Sequence, residues 1–474
     1  MRAPATMLFL AATLIGFGAC GSSPQSNGFG GGGSGSGGGS GGGSGSGSGS
    51  GGSGGSSGGM FGMSDGGSPG CNTTISGTVY DPAGHNPLYD IAVYVPSTAL
   101  SPIPSGASCD SCTSLYSGKP VAAAITDAAG KFVMQKVPPG NNVPLVLQVG
   151  KWRKQVYAPT VTACQDNPMP AKSLTLPRNH SEGNIPNIAI ATGNADSIEC
   201  LLRRIGIDAG EYEPGAAGPG RIHIFTTNPG VFSGPGPNTS PPGPDATQAL
   251  WNSDASIMPY DMVLLSCEGT DVNVNPNQQV LVDYTTAGGR AFASHFHYVW
   301  LDSGPFGGDN LASWSTGANG IGSLSAQIVT TLPNGQPFPK GLAMAQWLGN
   351  VGALQGGALP IVDAKHNADV TPSNAASQPW IAGTLNPPSE TQYFSFDTPV
   401  GVPTAQQCGR VVFSDLHVGA ASNDYGGSIG SGVTPSGCGT GALSPQEDAL
   451  EFMIFDLASC VTPNGQPPPP PTVQ

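Results

Sequence analysis

The stretch Gly288-Gly289-Arg290-Ala291-Phe292-Ala293-Ser294-His295-Phe296-His297-Tyr298-Val299-Trp300 decides how the rest of the chain is read. Two glycines end a helix-like run, and a short apolar strand then delivers Ser294, His295 and His297 to its tip. Loops at the carboxyl ends of strands line the ligand crevice of an open parallel sheet, so these side chains fall where a site would be built. Upstream, 185–193 reads as a buried strand. Asp196 is expected to cap a helix over 197–205, with Glu199 completing a capping box and Gly206 ending the helix. The second strand covers 221–225 and the third 260–269. Asn275 and Pro276 open a helix that Gly288 closes, and the quoted stretch is the fourth strand. Strand, helix, strand, loop, strand, helix, strand predicts a doubly wound, flavodoxin-like α/β domain over 186–460. Farther on, a helix is expected over 341–348 and strands over 393–396 and 409–417. Ser444-Pro445-Gln446-Glu447 is a capping box that starts a helix running to Ala458.

Ahead of this domain the period changes to two. Alternation over 74–79, 91–95, 131–134 and 143–149, punctuated by Gly and Pro, predicts a small all-β sandwich over 71–178. Residues 21–70 are almost entirely Gly and Ser, a disordered tether with a root-mean-square span of about 40 Å. A disordered proline-rich tail is expected over 461–474. At the start, Arg2 precedes the apolar run 7–15, the pattern of a signal peptide and too short for a permanent span. The run leads into Phe17-Gly18-Ala19-Cys20, which resembles a bacterial lipobox. That resemblance implies lipidation of Cys20 and a lipoprotein of the cell envelope, held to the outer or cytoplasmic membrane by its lipid and facing out of the cytoplasm.

The formal net charge is −14, from 16 Lys+Arg against 30 Asp+Glu, and no basic block gathers the cations. Nucleic acid is therefore not an expected partner. After Cys20 come Cys71, Cys109, Cys112, Cys164, Cys200, Cys267, Cys408, Cys438 and Cys460, which outside the cytoplasm read as disulfides. Cys109-Asp110-Ser111-Cys112 lacks a βαβ context and a second such pair, so a structural Cys109–Cys112 disulfide is expected rather than redox or metal chemistry. Cys267, at the tip of the third strand, could serve as a nucleophile. A bridge to Cys200 in the neighbouring helix is the preferred reading. The last helix should return its end to the start of the strand after Cys408, which predicts Cys408–Cys460.

In the sandwich, Gly77, Val79, Asp81, Gly84, Pro87, Leu88, Thr126, Asp127, Gly130, Phe132, Pro138 and Gly140 form a pattern that resembles carboxypeptidase-regulatory-like and collagen-adhesin B-type modules. Such modules are spacers or binding folds without catalytic residues. The later domain resembles the class I glutamine-amidotransferase-like superfamily, most of all its ThuA-like branch, through Asp261-Met262-Val263-Leu264-Leu265, the turn and strand leading to His295, and Gly409-Arg410-Val411-Val412 leading to His417. The amidotransferase elbow and its late His-x-Glu are missing: Phe292-Ala293-Ser294-His295-Phe296 and His417-Val418-Gly419 stand in their places. The glutaminase triad is not carried over.

Three chemistries stay open for the cluster. Ser294 activated by His417, with Asp415 or Glu268 as orienter, would be a hydrolase acting on carbohydrate or amide bonds. His295, His297, Asp415 and His417 could hold a metal, because i, i+2 spacing puts each pair on one side of its strand. Otherwise the histidines bind a polar ligand without turnover, with His295, His297 and Glu268 as the contacts, or satisfy a crowded core. The preferred reading is a non-catalytic protein binding a polar, carbohydrate-like ligand or envelope component, with no cofactor. Trp300, Trp314, Trp347 and Trp380 read as core rather than as a sugar platform, and 365–369 reads as a solvated loop.

Overall fold

A computed structural model describes residues 71–110, 114–193, 195–227, 238–239, 243–271, 277–385, 388–418, 433–434, 438 and 442–474. Cys20, the tether, Cys112, Asn275 and Pro276 lie outside the described residues. The first eight strands are β1 (Thr74–Tyr80), β2 (Ala92–Val95), β3 (Ala122–Ile125), β4 (Lys131–Met134), β5 (Gly140–Val149), β6 (Trp152–Val161), β7 (Asp166–Pro168) and β8 (Leu174–Thr175). One sheet gathers β4, β1, β7 and β8, and the other runs β3-β2-β5-β6 in antiparallel register. In β4 alternate residues are exposed and buried, so Phe132 and Met134 face inward while Lys131 and Val133 face water. That is the signature of a sheet with one solvated face. Ile75, Val79, Phe132, Met134, Leu145 and Leu147 fill the space between the two sheets.

The remaining chain continues through β9 (Ile188–Thr192), α1 (Ile198–Arg204), β10 (Tyr212–Pro214), β11 (Ile222–Thr226), β12 (Asn238–Thr239), α2 (Ala246–Ala249), α3 (Asp254–Ile257), β13 (Met262–Leu265), α4 (Gln278–Thr286) and β14 (Arg290–Ser294). Next come α5 (Gly304–Gly307), β15 (Ser313–Trp314), β16 (Gly320–Ile328), α6 (Pro339–Val351), β17 (Leu359–Lys365), β18 (Ala368–Asp369), β19 (Ser377–Leu385), β20 (Pro388–Thr398), β21 (Gly409–Ser414), β22 (Val433–Thr434) and α7 (Pro445–Ala458). Ten of these strands form one sheet in the order β10-β11-β9-β13-β14-β21-β20-β19-β16-β17. From β10 to β21 every pairing is parallel, and from β21 to β17 every pairing is antiparallel.

Strands β9, β13 and β21 are buried at every position, as parallel strands covered on both faces must be. On one face Ile188, Ile190, Leu264, Phe292 and Val412 join α1, α6, α7 and the sandwich in a single apolar core. On the other, Ala189, Ala191, Val263, Leu265, Ala291 and Ala293 meet Leu281 and Tyr284 of α4. The described residues are thus mostly β, in several sheets, and make one compact unit. Among the described residues no helix is long and apolar enough to cross a membrane.

Several expectations are corrected. The quoted stretch is a strand only to Ser294; residues His295–Trp300 form a 3₁₀ helix, so the i, i+2 argument for His295 and His297 fails. Likewise β21 ends at Ser414, ahead of Asp415 and His417. Ser197, not Asp196, is the N-cap of α1, and it makes no side-chain capping bond. The antiparallel strands β16, β17 and β19 were not expected, because register shifts at Gly320 and Gly322 and at Pro379 break the alternation that would announce them. The helix α7 begins as read, with Ser444 and Glu447 reciprocally bonded and Pro445 in the first turn.

Among the described residues the disulfides are Cys71–Cys164, Cys109–Cys408 and Cys200–Cys438, so the expected Cys109–Cys112, Cys200–Cys267 and Cys408–Cys460 pairings are replaced. Cys109 sits on a sandwich loop laid against the start of β14. Gly288 there has φ +105°, and a Cβ on it would lie 2.1 Å from the Ser108 carbonyl oxygen. The end of α7 does return to Cys408: the Arg290 guanidinium bonds the carbonyls of both Cys408 and Ser459. Cys408 has already been taken by the sandwich loop. The proline-rich tail, expected to be disordered, lies on the sandwich, where the Gln474 N–H donates to the Pro120 carbonyl at 3.0 Å.

Candidate functional site

Three parallel strands end side by side, and each delivers one ligating side chain to a common buried point. Past β13 comes Cys267, past β14 comes His295, and past β21 comes His417. The Cys267 Sγ lies 3.4 Å from His295 Nδ1, and His417 Nε2 lies 3.1 Å from the same nitrogen. Gly193, at the tip of β9, makes room for this convergence, since a Cβ there would lie 2.1 Å from the Cys267 carbonyl oxygen. The first turn of α7 fixes the His417 backbone, whose carbonyl accepts from Gln446 Nε2 at 2.6 Å.

His295 has φ +40°, a left-handed conformation that costs a residue with a Cβ about 1–3 kcal/mol and persists only where the surroundings enforce it. It stands at the strand-to-helix turn, so the chain does have a strained elbow, one residue beyond Ser294. Asp363, in β17, is also in the left-handed region and places its Oδ2 3.5 Å from His417 Nδ1. Burial pushes His295 down to about 3, helped by the charges of His417 and Lys365. Burial would lower His417 too, but Asp196, Asp363 and Cys267 together hold it well above the ordinary imidazole value. Bonding to His417 is the main cause that takes Asp363 down to about 2.

The other residues singled out in the sequence separate into different roles. Ser294 Oγ donates to Asp196, whose second oxygen accepts from the Val418 N–H at 2.6 Å. Asp196 is therefore a buried brace across the strand tips. Asp415 accepts from the backbone N–H groups of Asn367 and Ala368 at 2.6 and 3.0 Å, and does not orient His417. Burial raises it to about 7 against those bonds. The segment 365–369, expected as a solvated loop, is pinned by these contacts, and Asn367 is fully buried. His297 turns away to Glu268 Oε1 at 2.9 Å and the Ser266 carbonyl at 3.1 Å, while its Nδ1 accepts from Trp300 Nε1 at 3.2 Å. The His297 proton accordingly sits on Nε2. Among the described residues Glu268 Oε2 is buried without a hydrogen-bond partner. Trp300, Trp347 and Trp380 are core residues.

Of the residues singled out in the sequence, His295 and His417 come together with Cys267, which was expected in a disulfide, while Asp363 and the bracing role of Asp196 were not expected. The recurrence of a polar residue just past each of three apolar strand runs was the usable signal.

No protein-family model matches the chain, and no curated protein matches it. Among solved structures, two mutants of a type II Cohesin-X-Dockerin complex from Acetivibrio cellulolyticus were found, each 14% identical. The C-terminal interface mutant aligns over 26% of this chain and 76% of its own with a TM-score of 0.16. For the N-terminal interface mutant the figures are 29%, 85% and 0.17. Scores this low carry no argument about fold or partner.

Proposed function

We propose that this chain is an exported, lipid-anchored envelope protein in which a β-sandwich supports a doubly wound, flavodoxin-like domain of ThuA-like kind, and that this domain binds a polar ligand at its strand tips without turning it over. Six parallel strands with helices on both faces support the α/β reading. The observation that carries the non-hydrolytic reading is the Ser294–Asp196 bond. It commits the hydroxyl proton to a carboxylate braced by the Val418 N–H, while His417 faces His295. In the expected constellation the His417 imidazole would take the serine's proton with Asp415 as orienter, but Asp415 is occupied by backbone. The anchor rests on the thiol of Cys20, the group able to take the lipid in Phe17-Gly18-Ala19-Cys20. Cys20→Ser should move the protein from the membrane pellet to the soluble fraction, followed by immunoblotting of fractionated cells. An unchanged pellet fraction would defeat the lipoprotein reading. Hydrolysis of generic ester or amide substrates that is lost in Ser294→Ala would defeat the binding reading.

A further inference from the structure

We propose that Cys267, His295 and His417 form a binding site for one divalent transition-metal ion of the zinc class. The set differs from any i, i+2 pairing along a strand: its three members come from three adjacent strand tips, and their ligand atoms all lie within 4.8 Å of one another. Tetrahedral zinc, with bonds of about 2.3 Å to sulfur and about 2.05 Å to nitrogen, sets S···N near 3.6 Å and N···N near 3.3 Å. The 3.4 Å from Cys267 Sγ to His295 Nδ1 and the 3.1 Å from His295 Nδ1 to His417 Nε2 are within 0.2 Å of those spacings. Two edges of the ligand triangle thus have zinc spacing, and the third, from Cys267 to His417, lies within 4.8 Å.

The surroundings fit the same use. His417 turns Nε2 to the cluster and Nδ1 toward Asp363 Oδ2 at 3.5 Å, an ion-pair approach from which a small shift makes the carboxylate–histidine bond that orients a metal-ligating imidazole. The Gly269 N–H approaches the Cys267 sulfur at 3.4 Å, as backbone donors do around a bound thiolate. His295 is held in a strained conformation that aims its Nδ1 at both partners. Cys267 itself is fully buried and outside any disulfide, although six other cysteines of the chain are bridged. One soft thiolate with two imidazoles selects zinc-like ions over magnesium or calcium, whose sites are built of oxygen. The inference does not depend on the lipid anchor or on the ligand-binding reading.

The test uses the full mature chain, purified without a metal-affinity tag, stripped with a chelator and reloaded. We expect about one zinc per chain by elemental analysis, and cobalt(II) reloading should give tetrahedral visible bands with a thiolate charge-transfer band in the near ultraviolet. Cys267→Ser should remove the charge-transfer band, and Asp363→Asn should weaken metal affinity by about 10–100-fold. His366→Ala, whose imidazole pairs with Asp369 at 2.9 Å, should change neither. Folded wild-type protein that takes up no metal, or takes up cobalt without the thiolate band, overturns the proposal. So does a folded Cys267→Ser protein that keeps the band. Should that variant fail to fold, the wild-type cobalt spectrum decides alone.

Discussion

The two ends of the parallel strands bury ionisable groups in opposite ways. At the amino ends buried charges are gathered into ion pairs: Arg410 meets Asp397 and Asp456 at 2.8 Å, Lys340 meets Asp456 at 2.8 Å, and Lys151 meets Asp261 at 2.7 Å, while Arg290 is held by backbone carbonyls. At the carboxyl ends His297 pairs with Glu268 at 2.9 Å, but beside that pair imidazole faces imidazole next to a thiol, and among the described residues the second Glu268 oxygen is buried without a partner. Paired charges hold parts together, here the sheet to α6, α7 and the sandwich. Like groups brought into contact raise the energy of the fold, a cost that the proposed metal ion would relieve.

The largest expected effect tests the paired end. Arg410→Ala takes the counter-charge from Asp397 and leaves Asp456 with Lys340 alone, and breaking a buried pair from one side costs about 3–5 kcal/mol. His417→Ala, at the unpaired end, should cost about 1–3 kcal/mol, the price of leaving its neighbours unsatisfied. Urea denaturation of the two variants measures the difference, and equal losses would erase the contrast between the ends.

Next in size is the covalent tie at the amino ends. The double variant Cys109→Ser, Cys408→Ser releases the sandwich loop from the sheet and should lower stability by about 2–4 kcal/mol, seen as a drop in Tm against wild type. A Tm that stays put would mean that the shared apolar core and the Lys151–Asp261 pair carry the attachment without it.

The smallest effect is titration. Burial raises Glu199 to about 8 and both Asp415 and Asp448 to about 7. The folded state then keeps protons that the unfolded chain has lost, so stability falls as pH rises through this window. His417, also raised, acts with the same sign. Lowering the pH from about 9 to about 6.5 should therefore raise Tm by about 2–4 °C. Below that, His295 and His223, both depressed chiefly by burial, take up protons only when unfolded and oppose the gain. Thermal melts across this range check it; a Tm that rises steadily towards alkaline pH would contradict the buried, protonated carboxylates.

Much of this was legible in residue patterns. Apolar runs such as Met262–Leu265 announced the parallel strands, and Ser444 with Glu447 announced α7. What escaped were contacts made across the fold. Asp196 sits where a cap belongs, and only the approach of Val418 and Ser294 turns it inward. Cysteine pairing depends on which loops cross the sheet, so Cys109 and Cys408, with a separation of 299 in sequence, could not be joined by local reasoning. The site suffered from one wrong boundary. Ending β14 at Ser294 rather than Trp300 sends His297 to Glu268 and leaves His295 to meet Cys267.

The bridge from Cys71 to Cys164 also has a mechanical meaning. Cys71 stands three residues before β1 and Cys164 two residues before β7, and these strands are hydrogen-bonded in parallel. A pull arriving along the chain ahead of residue 71 therefore divides at the sulfur bridge and enters the sheet through two neighbouring strands at once. Both carry tension in the same direction. Drawing β1 out by sliding it past β7 would require the covalent bridge to stretch, so the load passes into the sandwich as a whole.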